Sequence, residues 1–483
     1  MATSEILHRC SSIRESLAGA GLFAPDKGSH FGSLTAQSAV QTTWRISPEP
    51  FLLDPDQLAF FHALGPQLLQ FYHALNRLYL ESVRGTLPKW AAAYLDQGKP
   101  EALITFGRMK RFRDQIPAVI RPDIIPTSDG MVITELDSVP GGMGLTAAMS
   151  RAYTRVSHGR FEVIGGSEGM VEGFTAMLLG QMKQPVGPIA IIVSEEAKDY
   201  RPEMTWMASE LSASGLESYC VGPKQIRFTE EGLRIATDTG EVPISLIYRF
   251  YELFDLPNIP KAELIQYATK KGLVSVTPPY KPALEEKSAF GLLHHPILQQ
   301  YWRTALGDDL FLHLSTIMPR TWILDPAPIP PSAVIPGLSI GGRAVMQWTD
   351  LAEATQKERH FVVKPSGFSE LAWGSRGVSV GHDLSQGEWA AAIDSALRSY
   401  SRTPYVLQEF HKGRQYQLDY VDPDTGEVRT MAGRARLSPY YFVTGDQAEL
   451  AGILATICPA DKKIIHGMKD AIMAPCAIES HTG

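Results

Sequence analysis

The chain has 483 residues, 44% of them hydrophobic and 20% charged, with a formal net charge of −7. That is a globular composition with length for about two to four domain-sized units, and its acidic balance excludes a broad basic face for nucleic acid or an anionic membrane. No apolar run approaches the roughly 20 residues of a membrane-spanning helix, and the scattered Cys10, Cys220, Cys458 and Cys476, with no CxxC, support neither a zinc site nor a disulfide framework.

The start, MATSEILHRCSSIRESLAG, lacks the basic-then-apolar order of a secretory signal, so a cytoplasmic location is expected. Residues 1–50 read as a polar, irregular, loosely packed leader. Over 56–83, Leu64, Leu68, Phe71, Leu75 and Leu78 recur every three or four positions. That spacing predicts one amphipathic helix, or two broken at Gly65-Pro66, with a further helical stretch over 89–111. Residues 1–105 are thus expected to form a leader and helical segment.

In 106–185 the texture changes. Ala118 to Ser138 reads as two short strands joined at Ser128-Asp129-Gly130. Glu135 and Asp137, two apart on a strand, point to one face. Asp123, twelve residues before Glu135, is brought back beside them by the turn. Carboxylates aimed at one point repel unless a cation lies between them, and oxygen-only ligation suits Mg²⁺. The alternative is a solvated acidic hairpin, against which the apolar IIP and MVIT segments argue.

Residues 186–256 alternate strand and helix, which predicts a small parallel α/β unit. After the loop TPPYKPALEEK a helix runs through His294-His295, a partly buried helix end rather than a metal site because no cysteine or third histidine accompanies it. WILDPAPIPPSAVIP reads as a surface connection. Lys364 leaves an apolar strand ahead of Gly367, Gly374, Gly377 and Gly381, which is either a phosphate cradle or a surface lysine before a flexible loop. YVLQEFHKGRQYQLDYV is either a plain β-hairpin or a connector whose free backbone groups recognise an adenine edge. Arg434 and Arg436 share a strand face, as a salt-bridged edge or as a stabiliser of charge on a transferring phosphoryl group. Near the C-terminus, Lys462, Lys463, His466 and Lys469 read as a charged helix face or a basic wall for an anionic substrate.

In order and spacing, these pieces resemble the circularly permuted ATP-grasp enzymes of the glutathionylspermidine synthase kind. The resemblance covers about 120–150 and 186–445. RPD (121–123) and ELD (135–137) match the family's Arg-x-Asp and Glu-x-Asn, with Asp137 where Asn is usual. It implies an α+β ATP-grasp fold: a permuted metal-binding part in 106–185, a pre-ATP-grasp α/β domain in 186–275, and nucleotide-binding lobes in 276–483.

By the same resemblance, Asp123, Glu135 and Asp137 hold Mg²⁺, while Lys287 and Lys364 neutralise ATP phosphates. The phosphate loop is best placed at Gly374-Ser375-Arg376-Gly377, with FSELAW as an insertion. Gln408, Glu409, Phe410 and His411 match the adenine hinge, and Gln415 takes the ribose position where Glu is common. Arg121 and Arg436 are the implied catalytic residues, and Pro140-Gly141-Gly142 would let backbone approach the acceptor carboxylate. The implied activity is ADP-forming ligation of a small-molecule or peptide carboxylate to an amine through an acyl phosphate. ATP and Mg²⁺ are its cofactors, and a homodimer is compatible with it. An ATP-grasp kinase and a non-catalytic nucleotide-binding subunit are the alternatives.

Overall fold

The strand Val428–Thr444 runs through the middle of a nine-stranded, mainly antiparallel sheet. Its first half alternates buried and half-exposed positions, whereas Ser438 to Val443 are all buried. The second half is covered on both faces, so alternation has no role there. The computed structural model of the chain describes residues 3–23, 44–182, 187–238, 240–330, 333–465 and 470–480. Within them the sheet runs in the order Arg45–Ile46, Ile472–Glu479, Gln447–Pro459, Val428–Thr444, Val119–Pro126, Met131–Asp137, with Gln415–Val421 also paired to Val428–Thr444.

One face is covered by a single helix, Pro55–Arg84, which continues through Pro66. It opens with a capping box between Asp54 and Gln57 and closes on Gly85 in the left-handed conformation. At Gly65 this helix lies close against the sheet: a Cβ there would fall 2.5 Å from the Ala448 carbonyl oxygen and 2.6 Å from the Tyr441 ring. The helices Met143–Ser157 and Gly169–Gln181 cover the opposite face, where Gly173 lies against Phe442.

The leader expected over residues 1–50 contains a helix, Thr3–Gly19, whose Ile6, Cys10, Ile13 and Leu17 enter the main core. Its polar composition hid one apolar face. Residues 24–43 lie outside the described residues.

The α/β unit has four parallel strands in the order Ser275–Thr277, Leu246–Phe250, Ile189–Val193, Ser218–Val221. An antiparallel sheet of Ile226–Thr229, Gly232–Thr237 and Gly240–Pro243, not foreseen from the sequence, is inserted in it. A further antiparallel sheet joins Thr321–Ile323, Tyr405–Glu409, Phe361–Pro365 and Ser379–Val380, and has its own core with helix Gln386–Ser399. Trp322 and Ile323, read as the start of a surface connection, therefore belong to a strand. The architecture as a whole is α+β.

Gly65→Ala tests the helix–sheet contact. Ala favours a helix over Gly by roughly 1 kcal/mol, but its Cβ meets backbone here, and overpacking costs typically about 1–3 kcal/mol. Urea denaturation is expected to show a net loss of stability; a gain would contradict the close approach.

Candidate active site

The hairpin register determines the site. Arg121 pairs with Asp137 and Asp123 with Glu135, and directly opposed residues share a face, so all four charges emerge together. Leu437 lies opposite Ile124 on the adjoining strand, which brings Arg436 and Ser438 alongside. Asp123 is 2% exposed, and both its oxygens are engaged. Oδ1 accepts from Ser438 Oγ at 2.9 Å and lies 3.4 Å from Arg121, while Oδ2 is 3.1 Å from Arg436. Asp137 meets Arg121 at 2.8 Å and accepts the Val139 amide at 2.9 Å. Glu135 lies 3.3 Å from Lys287, and Lys364 donates to the Thr134 carbonyl at 2.7 Å.

These groups perturb one another. Burial opposes ionisation of Glu135, yet Lys287 first, then Lys364, Arg121 and Arg436, hold its carboxyl well below the usual range. Burial raises Asp137, Arg121 opposes that, and the neighbouring Glu135 and Asp123 add to it. Burial pushes the Lys364 ammonium down to about 8, partly offset by Glu135. Lys287 moves up, because its attraction to Glu135 outweighs burial.

Arg121, Asp123, Glu135, Asp137, Lys287, Lys364, Gly374 and Arg436 line one cleft of about 570 Å³. A further wall, from the α/β unit, carries Glu196, Asp199 and Glu252, and burial, with Glu285 and Asp137 nearby, raises the Glu252 carboxyl well above its usual range. The C-terminal ends of Ile189–Val193 and Leu246–Phe250 lead to this wall. Their helical connections leave in opposite directions along the sheet order, which is where open α/β sheets take their ligands.

The metal expectation needs revision. Among the described residues, no three acidic, histidine or cysteine side chains form a group able to hold a metal ion. Asp123 is saturated by two arginines and a serine. Glu135 and Asp137 keep side-chain surface in the cleft, at 31% and 26% exposure. Mg²⁺ typically takes one or two carboxylates and completes its shell with water and phosphate, so this pair fits it where a three-carboxylate cage does not.

The glycine loop divides by function. A Cβ on Gly367 would fall 1.7 Å from the Glu285 carbonyl oxygen, and one on Gly377 would meet Pro365 and Leu371. Both are packing positions, and only Gly374, at φ +60 with open space around it, matches the expected cradle. The ELAW of FSELAW lies in a 3₁₀ turn, Glu370–Ser375; the side chain of Ser375 lies outside the described residues.

The expected hinge is not a plain hairpin. Tyr405–Glu409 and Gln415–Val421 belong to different sheets, so the connector between them joins two layers. The Glu409 and Phe410 amides already donate to the Arg320 and His360 carbonyls, both at 2.9 Å. Gln408 is buried against Thr321, while Gln415 is exposed. His411 is half-buried, and its Nε2 has no partner among the described residues. None of Gln408, Glu409, Phe410, His411 and Gln415 lines the cleft described above.

Arg434 binds the Gly413 carbonyl at 3.1 Å, so the arginine pair splits into one structural and one cleft residue. His294 bonds the Met318 carbonyl at 2.9 Å, as suits a helix end. Lys462 and Lys463 follow a strand rather than lying on a helix, and Lys463 pairs with Asp383. His466 and Lys469 lie outside the described residues.

Gly141 and Gly142 of the Pro-Gly-Gly turn line the cleft, and each is packed on the side where a Cβ would stand. Gly141 is covered by the Tyr200 ring and Gly142 by Tyr440. The Gly142 and Leu145 amides donate to the buried Glu203 carboxylate at 2.7 and 3.1 Å. Glu203 was missed because nothing local marks a glutamate in the first turn of one helix as the cap of another. Glu286 and Lys99, buried behind the two cleft lysines, were missed for the same reason.

No protein-family model and no curated protein matches this sequence. Among solved structures, a glutathione synthetase-like effector from Globodera pallida, in its apo form, is similar over 99% of this chain and 98% of its own. Its sequence identity is 10% and its TM-score 0.57. A Methylobacillus flagellatus KT protein provisionally named a gamma-glutamylcysteine synthetase is 11% identical over 88% of each chain, with a TM-score of 0.42, too distant to build on. The first likeness establishes a shared overall fold along almost the whole chain, in keeping with an ATP-grasp-like α+β architecture.

Glu203 sets a pH dependence. Burial raises its carboxyl from 4.5 to about 7, against the opposing amide bonds from Gly142 and Leu145. Between those values the folded chain binds the extra proton, so this group's contribution to stability falls as pH rises and the full penalty applies above about 7. Glu203→Gln removes that slope. Urea denaturation at pH 5 and pH 8 is expected to show the variant gaining on the wild type at the higher pH. A pH-independent difference would contradict the raised carboxyl.

Proposed function

We propose that the chain is an ATP-dependent, ADP-forming carboxylate–amine ligase, a permuted ATP-grasp enzyme of the glutathionylspermidine synthase kind. One observation carries this reading: Arg121, Glu135, Asp137, Lys287, Lys364 and Arg436 converge from separated stretches of chain onto one cleft. A carboxylate is a poor electrophile, and transfer of the γ-phosphoryl group to it supplies the leaving group that an amine then displaces. Such a transfer demands alignment and cationic surroundings more than covalent help from the protein.

Lys287 and Lys364 neutralise nucleotide phosphates from two sides. Arg121 and Arg436, held in place by Asp123, present guanidinium groups to the transferring phosphoryl and the acyl phosphate. Glu135 and Asp137 would hold Mg²⁺, which when bound offsets the charge on the β- and γ-phosphates. Adenine is assigned to the connector between the two sheets, at Gln408 to His411 with Gln415 toward the ribose; the amides of Glu409 and Phe410 are not its donors. The Glu196 and Asp199 carboxylates suit an amine that arrives protonated, with the carboxylate substrate between their wall and the cationic groups. The overall similarity to a glutathione synthetase-like protein supports this reading at the level of fold.

Thermal melting with ATP, with and without Mg²⁺, tests it. Nucleotide at about 100 times its Kd adds roughly 2.7 kcal/mol to the folded state. A Mg²⁺-dependent rise in Tm is expected in the wild type and its loss in Glu135→Gln. No shift with any nucleotide contradicts the assignment. Hydroxylamine then separates ligase from kinase, since it traps an acyl phosphate as a hydroxamate and leaves a phosphate ester intact.

A further inference from the structure

Lys99 and Glu286 form an ion pair in which neither side chain has any exposed surface. Lys99 lies in the N-terminal segment, between the helices Lys89–Asp96 and Glu101–Gly107, and Glu286 directly precedes Lys287. The same carboxylate accepts from the Ser366 hydroxyl, from the Gly367 amide at 3.1 Å and from the Phe368 amide at 3.4 Å. Those donors begin just past Phe361–Pro365, the strand that carries Lys364. Ser366 Oγ in turn accepts the Ser288 amide at 3.1 Å, and the Lys99 ammonium lies 5.9 Å from the centre of the Phe368 ring.

One carboxylate therefore adjoins one cleft lysine in sequence and grips the chain just beyond the other. Two of its donors are backbone amides, so it fixes the course of the chain and not merely a side chain. The absence of a Cβ at Gly367 sets how closely the two lysine-bearing segments approach. A buried carboxylate needs its counter-charge, which Lys99 supplies from outside both segments.

We propose that Lys99 and Glu286 are positioning residues of the nucleotide site. Their pair sets the separation of Lys287 and Lys364, and through it the N-terminal segment takes part in phosphate binding. The inference rests on the reading that these two lysines meet nucleotide phosphates.

Lys99→Met removes the counter-ion of the buried Glu286 carboxyl. In the nucleotide-free chain, hydrogen exchange is expected to rise in peptides spanning 285–290 and 364–370 and to stay at wild-type levels in the α/β unit. The Kd for Mg-ADP is expected to rise about tenfold, and Lys99→Met combined with Lys287→Ala to fall well short of the product of the two single effects, because Lys99 acts partly through Lys287. Additive losses, unchanged exchange in 364–370, or a wild-type Kd in Lys99→Met would each overturn the positioning role. If Lys99→Met does not fold, Glu286→Asp keeps both charges and draws the acceptor back by one methylene. The same exchange and affinity measurements then decide. A wild-type chain that binds no nucleotide overturns the ligase reading and this role with it, whereas wild-type binding with an unaffected Lys99→Met overturns this role alone.

Discussion

A buried carboxylate survives in a folded protein only when opposite charge and hydrogen bonds replace the water it has lost. Asp123 meets that condition through Arg121, Arg436 and Ser438, which come from its own strand and the neighbouring one. A one-residue slip of either strand would turn these groups to opposite faces and leave charge stranded in the core. The cluster therefore constrains the register of the sheet as well as the aim of the two arginines. With both oxygens of Asp123 engaged, the negative charge left to face the cleft belongs to Glu135 and Asp137.

Charge in the cleft comes from several elements. The main sheet supplies both signs, Arg121 and Arg436 with Glu135 and Asp137, while Lys287 and Lys364 add cations and the ends of the α/β strands add acids. Glu135 sits at the junction and draws on Lys287 and Lys364 together, which is why its carboxyl is held so low. A phosphate approaching Lys287 competes with Glu135 for one ammonium. The site thus has an internal counter-ion where an external one is proposed to bind, and a divalent cation at Glu135 and Asp137 fits the negative charge such an exchange would expose.

What was legible in the sequence is what depends on neighbours along the chain. The acidic hairpin was readable because its turn is local and its period is two, and Lys364 because an apolar strand ends in glycine and serine. The helix Thr3–Gly19 was not, since its apolar stripe of Ile6, Cys10, Ile13 and Leu17 is diluted by charged and hydroxyl residues, including an Arg9 that is itself buried. The saturation of Asp123 was also invisible: Arg436 and Ser438 reach it only because Leu437 pairs with Ile124. The same holds for the connector at 410–414, whose flanking strands look like a hairpin until each finds a different sheet. Glu203 capping Gly142 and Leu145 is the extreme case, a tertiary contact between two helices with ordinary local sequence.

The glycine loop shows how tertiary contacts divide one stretch into parts with different freedom. Its root is fixed by the buried Glu286 carboxylate and by Gly367, which has no room for a Cβ. Its tip carries Gly374 and Arg376, and Arg376 reaches across the cleft to Glu196 at 3.1 Å. Arg376 and Glu196 are 57% and 37% exposed, and ion pairs of that kind contribute about 0–1 kcal/mol. Parting the tip from the acidic wall therefore costs little, while displacing the root would break a buried pair, for which about 3–5 kcal/mol is typical. The contacts that set the spacing of the two lysines therefore belong to the root of the loop and not to its tip.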